Sequence, residues 1–224
     1  MEQTKTSRFD TQDIEKRYST TIVLKRSPLR KIKATEKIIA IGASTGGTEA
    51  IKDILIQMRP DSPGTLIAQH IPPAFSTAFA KRMDTLSPMV VSEAEDGQII
   101  TQGHVYIAPG WQHLMLVRDG ARYRCKLNDG PPVNRHKPSV DVMFRSVAQN
   151  AGLNAIGVIL TGMGSDGARG LLEMRDAGAA TIAQDEKTSV VWGMPGEAVK
   201  LKAVDHVLPI DSIEAKIESL LDSE

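Results

Sequence analysis

The sequence predicts an α/β fold: a doubly wound, mainly parallel sheet with helices on both faces and an inserted antiparallel hairpin. Three observations carry that expectation. Runs of consecutive apolar residues, such as Ile38–Ile41, Thr65–Ala68 and Ala155–Leu160, read as strands buried on both faces. Stretches with helical spacing separate them, the alternation that a parallel sheet with crossover helices needs. Near the middle, Leu114–Arg118 and Tyr123–Leu127 are joined through Asp119-Gly120, a hairpin turn signal.

Taken in order, the chain opens with a segment of different character. Residues 1–36 hold nine Lys/Arg against five Asp/Glu, a net +4 that the remainder balances. Only Thr21–Leu24 has strand character there, so 1–36 reads as a flexible basic arm or interdomain linker ahead of a domain over 37–224. After Ile38–Ile41, Gly42, Gly46 and Gly47 force a tight turn, and Glu49–Met58 resumes with helical spacing. Thr65–Ala68 ends at Gln69-His70, and Pro72-Pro73 opens a helix to about Leu86, a position that tolerates proline. Met89–Ala94 is a third strand. His104–Ala108 and the two hairpin segments read as strands of a different type. Asn128–Pro138 is a loop rich in turn residues, followed by a helix over Ser139–Asn150 with Val140, Met143, Phe144 and Val147 on one face. Ala155–Leu160 leads into the glycine turn Thr161–Gly167 and a helix to about Ala177. Ala180–Ala183, a helix over Pro195–Lys202, Val204–Leu208 and a helix over Ser212–Leu221 complete the pattern.

Composition bounds the function. A chain of 224 residues holds one α/β domain with a full core, or at most two small ones. Its net charge of zero gives no general attraction to nucleic acid or anionic lipid. The single Cys125 excludes an internal disulfide framework, fits a reducing compartment, and sits in a strand-like segment as a structural thiol. No apolar run reaches membrane-spanning length, and the N-terminus lacks the apolar core of a signal peptide. The expectation is a cytoplasmic protein without nucleic-acid partner or direct membrane insertion.

The chemistry centres on Gly42-Ala-Ser44-Thr-Gly46, which fits G-x-S-x-G. Small residues two before and two after the serine let the backbone bend sharply and lift the hydroxyl clear of the sheet. Neighbouring N–H groups at a helix N-terminus then face the place where an oxyanion would form. Two other readings stand beside it. The turn could cradle a phosphate, although it is not the dinucleotide fingerprint and the next strand ends in Gln69-His70 rather than an acid. Alternatively, Ser44 could simply cap the helix.

In a parallel sheet, the loops after the strands share one edge. Ser44 follows the first strand, His70 ends the second, and Asp166 lies after Ala155–Leu160. Together they offer a nucleophile, a general base and a carboxylate to orient the imidazole. His70 could instead be a strand-end histidine bonded to backbone, and Asp166 the N-cap of the following helix. His104, His113, His136 and His206 are rival bases, His136 in VNRHKP the strongest. None of the histidines is paired at i, i+4 or set beside a carboxylate cluster, so no metal is expected. The order Ser, His, Asp differs from the Ser, Asp, His of α/β-hydrolases, so a hydrolase here should not have that fold.

At this point the longer motifs matter. GASTGGTEAI, QHIPPAFSTAFAKR, EAEDG, YIAPG, DGPPVNRHKPSVDVMF, GVILTGMGSDGARG and VWGMPGEA closely resemble the catalytic domain of the chemotaxis protein-glutamate methylesterases, the CheB family, from about Lys37 to the C-terminus. The resemblance implies hydrolysis of glutamyl methyl esters on the cytoplasmic helices of methyl-accepting chemoreceptors, releasing methanol, and in many members deamidation of receptor glutamines. It places the triad on Ser44, His70 and Asp166. It puts Met163, in TGMG, beside the nucleophile, where its backbone N–H and that of Thr45 hold the oxyanion. No cofactor is required. Arg135, Arg169 and Trp192 fall in family-like loops at the expected rim. Members usually carry an N-terminal phosphorylatable receiver domain that restrains the esterase. Here only about 36 residues precede the domain, which reads as a catalytic fragment with its linker or a receiver-less, unrestrained member. The rival readings are a non-catalytic receptor-docking module of the same fold and a nucleotide-binding α/β domain.

Overall fold

The apolar runs assemble as strands of one central sheet, in a computed structural model that describes residues 19–27 and 36–222. The strands are β1 (Ile38–Ala43), β2 (Gly64–Gln69), β3 (Val90–Glu93), β4 (His104–Ile107), β5 (His113–Asp119), β6 (Arg122–Asn128), β7 (Ala155–Ile159), β8 (Ala180–Gln184) and β9 (His206–Leu208). The helices are α1 (Gly47–Leu55), α2 (Pro73–Leu86), α3 (Val140–Asn150), α4 (Ala168–Asp176), α5 (Met194–Lys200) and α6 (Ile210–Leu221). Seven strands form the sheet in the order β3-β4-β2-β1-β7-β8-β9, every neighbouring pair parallel. The chain winds outward from β1 in one direction and then, from β7, in the other. The crevice at such a reversal is where open α/β sheets bind their ligands.

The period of two along β1 divides the core into two layers. Ile39, Ile41 and Ala43 face Ile51 and Ile54 of α1, Phe79 of α2, and Ile213 and Ile217 of α6. Ile38 and Ala40 face Phe144 and Val147 of α3, Leu171 of α4 and Ala198 of α5. Both faces are therefore covered, which is why β1, β2 and β7 are apolar without alternation. Each buried Ile, Leu, Val or Phe among them contributes about 1.5–3 kcal/mol through burial.

Two elements differ from the sequence expectation. β4 does not belong with the hairpin: it lies in the main sheet between β2 and β3, parallel to both. Val105 and Ile107 fill one layer and Tyr106 the other, so the continuous apolar run signalled a doubly buried strand. Only β5 and β6 form the antiparallel pair, which packs on α3 through Leu114, Leu116, Tyr123 and Cys125. Burial pushes the Cys125 thiol up to about 12, so it stays protonated and inert.

Thr21–Leu24 is not a strand either; Thr20–Ile22 is a 3-10 turn. Ser19 O and Thr20 O accept from the turn's own amides, and later carbonyls accept from side chains of α3 instead of a neighbouring strand: Arg145 donates to Leu24 O at 3.1 Å, and Gln149 to Lys25 O at 2.9 Å. Val23 and Leu24 pack on Met115, Val133 and Val142. Ser19–Ser27 is thus strapped to the body, whereas residues 1–18 and 28–35 of the expected flexible arm lie outside the described residues.

Candidate active site

Register brings the three loops level. Ala43 of β1 pairs with Gln69 of β2, and Gly42 with Ile159 of β7, so Ser44, His70 and the Thr161–Gly167 turn all emerge at one end of neighbouring strands. The turn around Ser44 is tied on both sides. Ser44 N donates to Thr161 O at 3.0 Å, and Gly47 N donates to Ser44 O at 2.8 Å. Gly46 is the N-cap of α1 with φ 80°, a left-handed conformation open to glycine, and no side chain caps the helix. Ser44 is therefore not the cap; its half-buried hydroxyl is left for other work. Gly42 serves a different need, because a Cβ there would collide with Val140, the first residue of α3.

Gln69 locks the first two loops together: its amide donates to the carbonyls of both Ser44 and His70 at 2.9 Å. His70 Nε2 meets Asp166 Oδ2 at 2.8 Å, with side-chain exposures of 8% and 1%, so the pair is shielded from water. His70 Nδ1 is buried and has no hydrogen-bond partner among the described residues.

Asp166 does not cap α4, whose N-cap is Gly167 with no side-chain bond. It reaches across to the N-terminus of α3. Its Oδ2 accepts from Val140 N at 2.7 Å as well as from His70; its Oδ1 accepts from Asn134 Nδ2 and Ser139 Oγ at 2.8 Å and from Asp141 N at 3.2 Å. Burial alone would raise its proton affinity. The bonds from His70, Asn134 and Ser139 outweigh burial and hold the carboxyl down at about 2. Asp141, the neighbouring buried acid, goes the other way: burial and the Asp166 charge push it up to about 7, against bonds from Gly170 N and Asn134.

Of the rival histidines, His104 and His206 stand at the first residues of β4 and β9, the opposite end of the sheet. His113 is buried with both ring nitrogens engaged, by Pro131 O and Ser139 N. His136 is different: its ring stacks on His70, centroids 3.6 Å apart and planes within 8°. Burial first, then the adjacent His70, lowers its proton affinity to about 4.

Gly162 packs so closely on Ser44 that a Cβ there would lie 2.7 Å from Ser44 Cβ, which brings the next residue, Met163, beside the serine. Thr45 and Met163 are both exposed there, and among the described residues neither amide donates to a backbone carbonyl. Ser44, Thr45, Asn134, His136, Met163 and Asp166 line a groove of about 650 Å³, with Arg135 and Arg169 on its walls and Ser19–Thr21 and Arg26 of the strap at one side. Trp192 does not line this groove; its indole N–H donates to Gln184 O, its ring lies against Gly196, and its backbone bridges Gly162. Among the described residues no three His, Cys, Asp or Glu side chains form a metal cluster, and no helix is long and apolar enough to cross a membrane.

Sequence reasoning missed Asn134, Ser139 and Asp141 as partners of Asp166. The only signal was the polar run Asn134–Ser139 ahead of α3; Ser139, accepting from Val142 N, is the cap such a run announces.

Comparison with known proteins places the chain in a family. The family model described as CheB methylesterase matches residues 39–217. A protein-glutamate methylesterase/protein-glutamine glutaminase of Hydrogenovibrio crunogenus is 58% identical over 208 residues, covering 93% of this chain and 55% of the relative. One of Hahella chejuensis is 60% identical over 184 residues, 82% of this chain and 51% of the relative. The chain thus spans about half the length of the curated relatives it matches. The crystal structure of the Thermotoga maritima CheB methylesterase catalytic domain superposes with a TM-score of 0.81 at 37% identity, covering 84% of this chain and all of that one. On the match over 39–217 and on these identities, the chain belongs to the CheB methylesterase family.

Proposed function

We propose that this chain hydrolyses glutamyl methyl esters on the cytoplasmic helices of methyl-accepting chemoreceptors, releasing methanol, and deamidates receptor glutamines by the same route. The names of its relatives support the substrate class. The observation that carries the chemistry is the buried His70–Asp166 pair, one strand away from the Ser44 turn, with a histidine nitrogen unpartnered among the described residues.

Ser44 Oγ attacks the ester carbonyl while His70 Nδ1 takes its proton. Asp166 keeps the other proton on Nε2 and offsets the charge of the imidazolium. The amides of Thr45 and Met163 hold the oxyanion, an effect worth about 3–4 kcal/mol per donor in serine hydrolases. Collapse expels methoxide, which leaves as methanol with the proton from His70; from a glutamine, ammonia leaves instead. Water then attacks the acyl-enzyme, giving its proton to His70, and a second collapse restores Ser44 and frees the carboxylate. The reaction belongs to the cytoplasm, where these receptor helices lie.

The test is methanol release from receptor membranes carrying labelled methyl esters, with Ser44→Ala as control. Release by the wild type and none by the variant is expected. A wild type that binds receptor without releasing methanol would instead be a docking module.

A further inference from the structure

The turn that carries His136 is built at a conformational cost. Val133 and His136 exchange backbone hydrogen bonds of 3.0 and 2.9 Å, and both residues between them are left-handed, Asn134 at φ 52° and Arg135 at φ 72°. Asparagine tolerates that region; arginine rarely enters it. Strain of this kind persists where the surroundings over-determine it. Here the turn delivers two contacts to one place. Asn134 Nδ2 bridges the carboxylates of Asp141 and Asp166 at 2.7 and 2.8 Å, and the His136 ring lies flat on His70.

His70 needs that second contact. Among the described residues its one ring hydrogen bond runs from Nε2 to Asp166, and a ring held by one bond can swivel about it. Swivelling would carry Nδ1 away from the serine without breaking the pair. A flat ring stacked at 3.6 Å blocks that rotation. Burial and the adjacent His70 keep His136 uncharged at neutral pH, so it presents a neutral aromatic face when His70 takes up a proton.

We infer that His136 is a positioning residue: stacked on His70 by the strained Val133–His136 turn, it fixes the imidazole plane so that Nδ1 faces Ser44 while Nε2 stays on Asp166. The catalytic part of this inference rests on the esterase reading above; the positional part does not.

The experiment uses the full chain labelled with 15N-histidine, as wild type, His136→Phe and His136→Ala, with circular dichroism to confirm folding. In the wild type the His70 Nε2–H gives a low-field, exchange-protected resonance, and His136→Phe, which keeps a flat ring, retains it. In His136→Ala the resonance broadens or disappears, and kcat falls about 10²-fold, the order that a misplaced group costs, with KM little changed. Should the alanine variant fail to fold, His136→Leu, of similar bulk but without a flat ring, takes its place. The inference is overturned if the ring-less variant keeps the protected resonance, if His136→Phe loses it as completely as the ring-less variant, or if an active wild type and the ring-less variant turn over equally. A wild type without esterase activity sinks the esterase reading alone, and the resonance still decides whether His136 positions His70.

Discussion

Replacing Asp166 with asparagine separates a carboxylate that only accepts from one that could be exchanged for any polar group of its size. Five donors converge on its two oxygens: His70 Nε2, Val140 N, Asn134 Nδ2, Ser139 Oγ and Asp141 N. An asparagine must aim its own NH2 at one of the two sets. Turned toward Asn134, Ser139 and Asp141, it keeps the bonds of the other oxygen, and Ser139 can rotate to accept. The Asn134 and Asp141 donors then lose their acceptor. Turned toward His70, it leaves Val140 N unpaired and favours the His70 tautomer with the proton on Nδ1, which cannot act as base. Bonds to a charged group contribute about 1.5–3 kcal/mol each, so the first orientation costs roughly 3–6 kcal/mol. Either orientation weakens catalysis, by about 10⁴ in kcat in the corresponding protease substitution. Urea unfolding and methanol release on the same preparation are the assay. A loss under about 1 kcal/mol would refute the acceptor-only account, and unchanged turnover would refute the role of Asp166 in orienting His70.

Ser44→Ala should abolish methanol release, by about 10⁴ or more, yet shift stability by less than about 1 kcal/mol in urea unfolding, because Ser44 caps no helix. Asp141→Asn should change how stability depends on pH. The folded-state pKa of Asp141 is raised, so its contribution is full below pH 4 and is lost as pH rises through about 7. His136, lowered to about 4, opposes this: its contribution is lost as pH falls from the usual histidine range through 4. Between pH 4 and 6.5 the two slopes offset in the wild type, and in Asp141→Asn stability should rise more steeply with pH; parallel curves would refute the raised acid. Arg145→Ala removes a buried guanidinium bonded to both Glu173 oxygens at 2.7 Å and to Leu24 O. It should cost about 3–5 kcal/mol and speed amide exchange within residues 20–27, and unchanged exchange there would refute the strap.

The sheet was legible because its strands are buried on both faces, and a doubly buried strand shows in sequence as an unbroken apolar run. The candidate site was legible wherever it depended on strand ends: Ser44, His70 and Asp166 each follow a strand whose register the topology rules constrain. What stayed hidden depends on the other layer. Nothing in the spacing of Asn134, His136, Ser139 or Asp141 shows that α3 points its N-terminus at a loop 25 residues and more downstream, since that follows from how helices pack on the sheet. The N-terminal strap was hidden for a related reason. Composition reads Ser19–Ser27 as a solvated linker, and only the side chains of Arg145 and Gln149 on α3 reveal what its carbonyls bond.

One helix end therefore carries two loads. Val140 fits into space left by missing Cβ atoms at Gly42 on β1 and Gly167 on the β7 loop, so the first turn of α3 sits against both the strand before Ser44 and the loop of Asp166. Its first-turn amides, which have no partner within the helix and form the positive end of the helix dipole, are where a buried carboxylate is best tolerated. Bonds from Ser139 Oγ, Val140 N and Asp141 N to Asp166 tie α3 to the β7 loop, and α3 in turn supports the hairpin and the strap at the groove wall. A carboxylate exposed to solvent could orient a histidine, but water would compete for its lone pairs. By satisfying them with main-chain and side-chain donors of α3 and its preceding loop, the fold leaves one direction open, toward His70, and couples the geometry of the dyad to the packing of a whole layer.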